Sequence, residues 1–183
     1  MKALKVWRTD VYDFIPKNAK GATKIAAMYD SIRKTESDNS AILIFCDTDK
    51  PPHDAFNSIK KGIQDIYGTH RVFEKITMYA NPCTMLIVLS HLIDHLKLKD
   101  QSKSKNASII QKLTGVKNYK ATKKQIDSIC KKITSNNYNV MKESIKSSTN
   151  EDFSVSGSTN FYTWLERFES SDTSWIDELN KSL

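Results

Sequence analysis

Cysteine, glycine and proline are scarce in this chain, and each scarcity excludes something. Three cysteines, Cys46, Cys83 and Cys130, stand far apart in 183 residues, with no Cys-x-x-Cys. An odd number at such spacing excludes a disulfide framework and points to reduced thiols in a cytosolic protein. Five glycines and four prolines are too few for a β-sandwich full of tight turns. Long hydrophobic runs are also lacking. The most apolar stretch, Met85 to Leu98, is interrupted by His91, Asp94 and His95, which leaves it too short and too polar to span a bilayer. No charged-then-apolar leader opens the chain. The expectation is a cytoplasmic protein with no membrane partner. Its 183 residues predict one domain with a helical extension, and an apolar content of 39% is enough for a real core.

Charge is plentiful but unevenly placed. The net charge is +7, yet residues 97–146 hold 13 lysines against Asp100, Asp127 and Glu143, a local balance of +10. Residues 151–183 carry seven acids against Arg167 and Lys181, a balance of −5. A lysine block of this kind fits a phosphate backbone, DNA or RNA, bound with little sequence preference. Lys123, Lys124, Lys131 and Lys132 are its candidate contacts. The plainer reading is a solvated helical face.

The stretch Ala41 to Lys50, AILIFCDTDK, is the centre of the sequence. Ala41 to Cys46 is a short apolar run, the pattern of a strand buried on both faces. Asp47 and Asp49 follow it. In open α/β sheets ligands bind beyond the carboxyl ends of the strands. Two carboxylates there suit Mg2+ or Mn2+, hard cations that take oxygen donors and keep several waters. The alternative is that Asp47 caps a turn and Asp49 is solvated before Pro51 and Pro52.

Around this centre the pattern predicts an α/β fold with a mainly parallel sheet, flanking helices and a C-terminal helical extension. Val11–Ile15 and Arg71–Tyr79 alternate and predict strands. Helices are predicted from about Thr23 to Lys34, with Ile25, Met28, Tyr29 and Ile32 on one face, and after Asp54, with Ala55, Ile59, Ile63 and Ile66 inward. Strand–helix–strand–helix–strand order implies right-handed crossovers. Asn81 reads as a helix cap with Pro82 at the first helical position, ahead of a helix apolar on almost every side. Phosphate at that helix start would meet Asn81, Cys83 and Thr84. His91 and His95, one turn apart with Asp94 between them, lack a third partner for zinc, so His91 is expected to bond within the core. Ala107–Leu113, Lys123–Ile133 and Tyr138–Ile145 predict three lysine-bearing helices. Thr159–Phe168 and Ser174–Leu179 predict two more, with Phe161, Trp164, Leu165 and Phe168 in the core. The division expected is 1–98 and 99–183.

Two stretches resemble a Toprim-type domain of the RloB and OLD-nuclease kind, a group of prokaryotic defence and mobile-element proteins. IFCDTD, residues 44–49, is similar to that family's strand ending in Asp-x-Asp. NPCTMLIVLSHL, residues 81–92, is similar to its Asn-Pro-Cys segment leading into an apolar helix that ends in His. The match covers roughly residues 5–96. It implies a metal-dependent nuclease fold with Asp47 and Asp49 on the metal. It also calls for a first strand ending in Glu-Gly, whose Glu serves as general acid/base or metal ligand. No Glu precedes Glu36, and Met1–Trp7 reads as the end of the helix that would follow such a strand. An in-frame Glu-Gly strand encoded upstream would supply it. Thr84 and Met85 also stand where the family tends to carry an aromatic and a Glu.

Three functions follow as expectations. One is a degenerate Toprim-like module that binds nucleic acid or a partner protein of a defence system. A second is an active Mg-dependent nuclease, for which Glu36, Asp10 and Asp13 are poorly placed substitutes for the Glu. A third is a metal-dependent glycosyltransferase, for which the chain is short and the Asn-Pro-Cys helix has no role.

Overall fold

The structure, a computed structural model, describes residues 7–93, 103–120 and 122–183. Asp94, His95, Met1 to Val6 and the 98/99 boundary lie outside the described residues. The described part is mixed α/β. Strands β1 (Ile44–Asp47) and β2 (Thr77–Ala80) pair in parallel, with Ile44 opposite Thr77 and Asp47 opposite Ala80. Helices α1 (Ala22–Arg33), α2 (Asp54–Tyr67) and α3 (Arg71–Ile76) lie in the first half. Helix α4 (Met85–Ser90) follows β2. The second half is α5 (Lys103–Thr114), α6 (Lys123–Cys130), α7 (Ser135–Ser147), α8 (Phe161–Glu169) and α9 (Ser174–Lys181).

The sheet separates two cores, because successive strand residues face opposite ways. Ile44, Cys46 and Tyr79 join Ala26, Tyr29, Phe56, Ile59, Ile63, Phe73 and Ile76 on the α1–α2–α3 side. Met78 and Ala80 join Leu86, Leu89, Ile110, Tyr138, Met141, Ile145, Trp164 and Leu165 on the other. The lysine-bearing helices therefore supply the second cover of the sheet. In α2 the buried face is Phe56, Ile59 and Ile63, while Ile66 is exposed.

Of the predicted strands, Val11–Ile15 is absent among the described residues and Arg71–Tyr79 forms only in part. Val11–Ile15 does alternate as expected: Tyr12 and Phe14 turn to the cluster of Trp7, Phe168 and Trp175, while Val11 and Ile15 are exposed. Its backbone bonds locally instead, Val11 and Tyr12 N–H both donating to the Arg8 carbonyl. Arg71–Tyr79 divides at Ile76. Val72, Phe73 and Ile76 fit a helical face as well as an alternating one, and they form α3; only Thr77–Ala80 is extended. The sheet is correspondingly small, and the rest of its support comes from side chains. On the edge of β2 away from β1, the Asn160 amide stands in for a strand. Its Oδ1 accepts the Tyr79 N–H at 2.9 Å and its Nδ2 donates to the Thr77 carbonyl at 2.7 Å. Thr159 Oγ1 donates to the Tyr79 carbonyl, and Asn81 N–H to the Ser158 carbonyl. Exposed strand edges invite pairing with other chains, and this one is closed.

Candidate functional site

Asp47 ends β1, and the loop after it is stitched to the loop after β2. Asp47 Oδ1 accepts the Thr84 N–H at 2.8 Å. Thr48 N–H donates to the Ala80 carbonyl at 3.3 Å and Asp49 N–H to the Pro82 carbonyl at 2.9 Å. Both aspartates are half-buried. Burial, with the two carboxylates nearby, pushes the Cys46 thiol up to about 12, so Cys46 is a core thiol and not a nucleophile. Among the described residues no three His, Cys, Asp or Glu side chains come together as a metal cage. The donor set is two carboxylates, which fits a cation that binds through few protein oxygens and keeps its waters.

The Asn-Pro-Cys segment differs from the expectation. Helix α4 starts at Met85, so Pro82 is not in its first position and Asn81 is not its cap. Asn81 Nδ2 donates to the Phe153 carbonyl at 2.8 Å. Cys83 is buried and accepts from Asn106 Nδ2 at 3.5 Å. The Thr84 N–H is on Asp47. Asn81 Nδ2, Cys83 Sγ and the Thr84 N–H each therefore have a partner within the chain.

His53, which the sequence reading passed over, belongs to this site. It is 7% exposed and takes a left-handed conformation (φ 61°), as Asp49 does (φ 57°). Its Nδ1 lies 3.0 Å from both the Thr48 and the Asp49 carbonyls, so the ring nitrogen donates there. Phe153 packs edge-on against the imidazole at 5.7 Å. The available signal was a histidine one residue before a helix and four after an Asp-x-Asp; a second buried role for it cannot be read from spacing.

The lysines sit on α6. Its start is fixed by a capping box between Thr122 and Gln125, and Gln125 Nε2 also donates to the Lys117 and Asn118 carbonyls. Lys123, Lys124 and Lys131 line one shallow depression of about 600 Å³ with Asp127 and Ser128 between them. Lys132 departs from this face. Its Nζ donates to the Thr114 carbonyl at 2.7 Å, closing the C-terminal end of α5, where a cation meets the negative end of the helix dipole. Burial raises the Tyr119 hydroxyl above its ordinary pKa, with smaller contributions from the Cys130 and Cys83 thiols. Cys130 ends α6, and Cys83 adjoins the Thr84 amide that Asp47 holds.

No family model matches this chain, nor does any curated protein or solved structure. The functional reading therefore rests on the geometry itself. Among the described residues no helix is long and apolar enough to cross a membrane.

Proposed function

We propose that this chain is a nucleic-acid-binding protein on a degenerate Toprim-like fold, serving a prokaryotic defence or mobile-element system in the cytoplasm. It acts by binding DNA or RNA, with a partner protein of that system able to share the surface. The observation that carries this reading is the face of α6. Lys123, Lys124 and Lys131 project together around one depression, and none of the three is in an ion pair among the described residues. Three lysines with one carboxylate, Asp127, among them, on a segment of net charge +10, are what a phosphate backbone attracts through counterion release. The parallel β1–β2 pair with carboxylates at its carboxyl end supports the Toprim-like fold. Asp47 and Asp49 would hold Mg2+ or Mn2+ there.

Fluorescence anisotropy with single- and double-stranded DNA and RNA tests the binding. Affinity is expected to fall steeply with salt. Replacing Lys123, Lys124 and Lys131 by Gln should flatten the plot of log affinity against log salt by about 3 for a duplex. Lys132→Gln should leave that slope unchanged and lower stability instead. Absence of binding at low salt, or an unchanged slope in the triple variant, overturns the reading.

The competing reading is an active nuclease. Phosphodiester hydrolysis needs a group that activates water or protonates the leaving oxygen, and Glu36 is tied to Lys17 at 3.7 Å. The purified chain with Mg2+ or Mn2+ is expected to show little or no cleavage of any of the four substrates. Multiple-turnover cleavage that disappears in Asp47→Ala would restore the enzyme.

A further inference from the structure

We infer that α6 enters the major groove of duplex DNA, with Lys123 and Lys131 on the phosphates of the two groove walls and Asp127 on a cytosine amino group between them. The inference rests on the nucleic-acid reading above and narrows it to one substrate class.

Little of α6 is used in the core. Of its eight residues only Ile129 is buried, and Ile126, one turn earlier, stands 41% exposed. A helix this short is marginal in water, and packing is what usually stabilises it. Here its ends are fastened instead. Thr122 and Gln125 form the capping box at the start, and Gln125 Nε2 holds the Lys117 and Asn118 carbonyls. Just past the end, Lys132 Nζ binds the Thr114 carbonyl. The result is a firmly mounted helix with most of its circumference in solvent. An α-helix with its side chains is about 10–12 Å across, and the major groove of B-form DNA, about 12 Å wide, admits it.

The order of charges along the helix selects the occupant. Lys123, Asp127 and Lys131 stand at i, i+4 and i+8 and form one row on the exposed side. At about 1.5 Å of rise per residue the two lysines start roughly 12 Å apart, which matches the groove. Lys124 adds a third cation at the first end. Asp127 lies between these lysines and is in an ion pair with none of them. On a surface that only gripped phosphate, a carboxylate at this place would subtract from affinity. Between two groove walls it faces base edges, where a carboxylate accepts from cytosine N4 and the neighbouring Ser128 hydroxyl suits any base. A-form RNA does not fit this arrangement, because its major groove is too deep and narrow for side chains to read.

Fluorescence anisotropy on the full chain, with short duplexes of equal length at one salt concentration, tests the assignment. A DNA duplex should bind about tenfold or more tightly than the RNA duplex of the same sequence. DNA of G·C pairs should bind about fivefold or more tightly than DNA of alternating A·T pairs, the low end of what one good base contact discriminates. Asp127→Asn installs the side chain that pairs with adenine N6 and N7, so it should move that ratio toward A·T by about fivefold or more. Asp127 is exposed, and circular dichroism checks that the variant folds. The comparison of DNA with RNA needs no variant, so the inference stays testable if Asp127→Asn does not fold. Equal affinity for the two duplexes, tighter binding of a single strand, or a ratio that Asp127→Asn leaves unchanged overturns the groove assignment. If the triple Gln variant still flattens the salt slope in that case, α6 remains a phosphate-binding surface and the reading above stands. Binding to none of these probes, or an unchanged slope in the triple variant, removes that reading and this inference together.

Discussion

The two ring nitrogens of His91 have different surroundings. Nδ1 donates to the Ile87 carbonyl at 2.7 Å, while Nε2 is buried with no partner among the described residues. Burial outweighs the carbonyl bond and pushes the pKa down to about 4. The group facing the ring from α7 is Tyr138, 6.3 Å away between centroids, whose hydroxyl donates to Glu169. An unfolded histidine titrates near 6.5, so the unfolded chain binds the extra proton first. Stability from this residue is complete above about pH 6.5 and is lost as pH falls toward 4, by about 3 kcal/mol at the limit. Urea denaturation between pH 7.5 and 4.5 should show this slope, and His91→Leu should flatten it. A core role for His91 was legible, because one histidine pair without a third donor is not a zinc site. His53 was not legible. Its partners are two backbone carbonyls, and backbone positions leave no mark in the residue pattern.

At the level of elements, the helices were legible and the strands only in part. α1, α2 and α5 to α9 fall near their predicted spans, since apolar residues three and four apart have no other economical reading over several turns. Short segments are different. Six residues such as Arg71–Ile76 satisfy both periods, and only the neighbouring Phe56 and Ile63 in the same core decide between them. The meeting of α1 and α2 was equally hidden. A Cβ at Gly62 would lie 2.8 Å from the Ala26 Cβ, so the glycine lets the two helices approach. Gly62→Ala gains about 1 kcal/mol of helix propensity, yet it is expected to destabilise the protein by a net 1–2 kcal/mol or so through overpacking. Thermal unfolding should show a loss of a few degrees, and adding Ala26→Gly should recover most of it. An unchanged or raised midpoint in the single variant would show that the helices separate freely.

Across the whole molecule, the partition of charge was visible in the sequence and its placement was not. Lys132 bonds to α5 while its neighbour Lys131 faces outward, a distinction that needs the packing of Ile129 and Ile133. The core against Met78 and Ala80 is built from α7 and α8 as well as from α4. Asn160 gives that arrangement a consequence in time. A ribosome delivers Thr77 and Tyr79 about eighty residues before the amide that closes their edge. During that interval β2 has β1 on one side and no permanent neighbour on the other. Residues 7–93 therefore leave the exit tunnel as an unfinished layer, and the chain reaches its final state only after α8 has been synthesised. Translation pausing or premature termination before Asn160 would leave an adhesive nascent chain for chaperones and proteases, so the last quarter of the gene governs the fate of the first half of the protein.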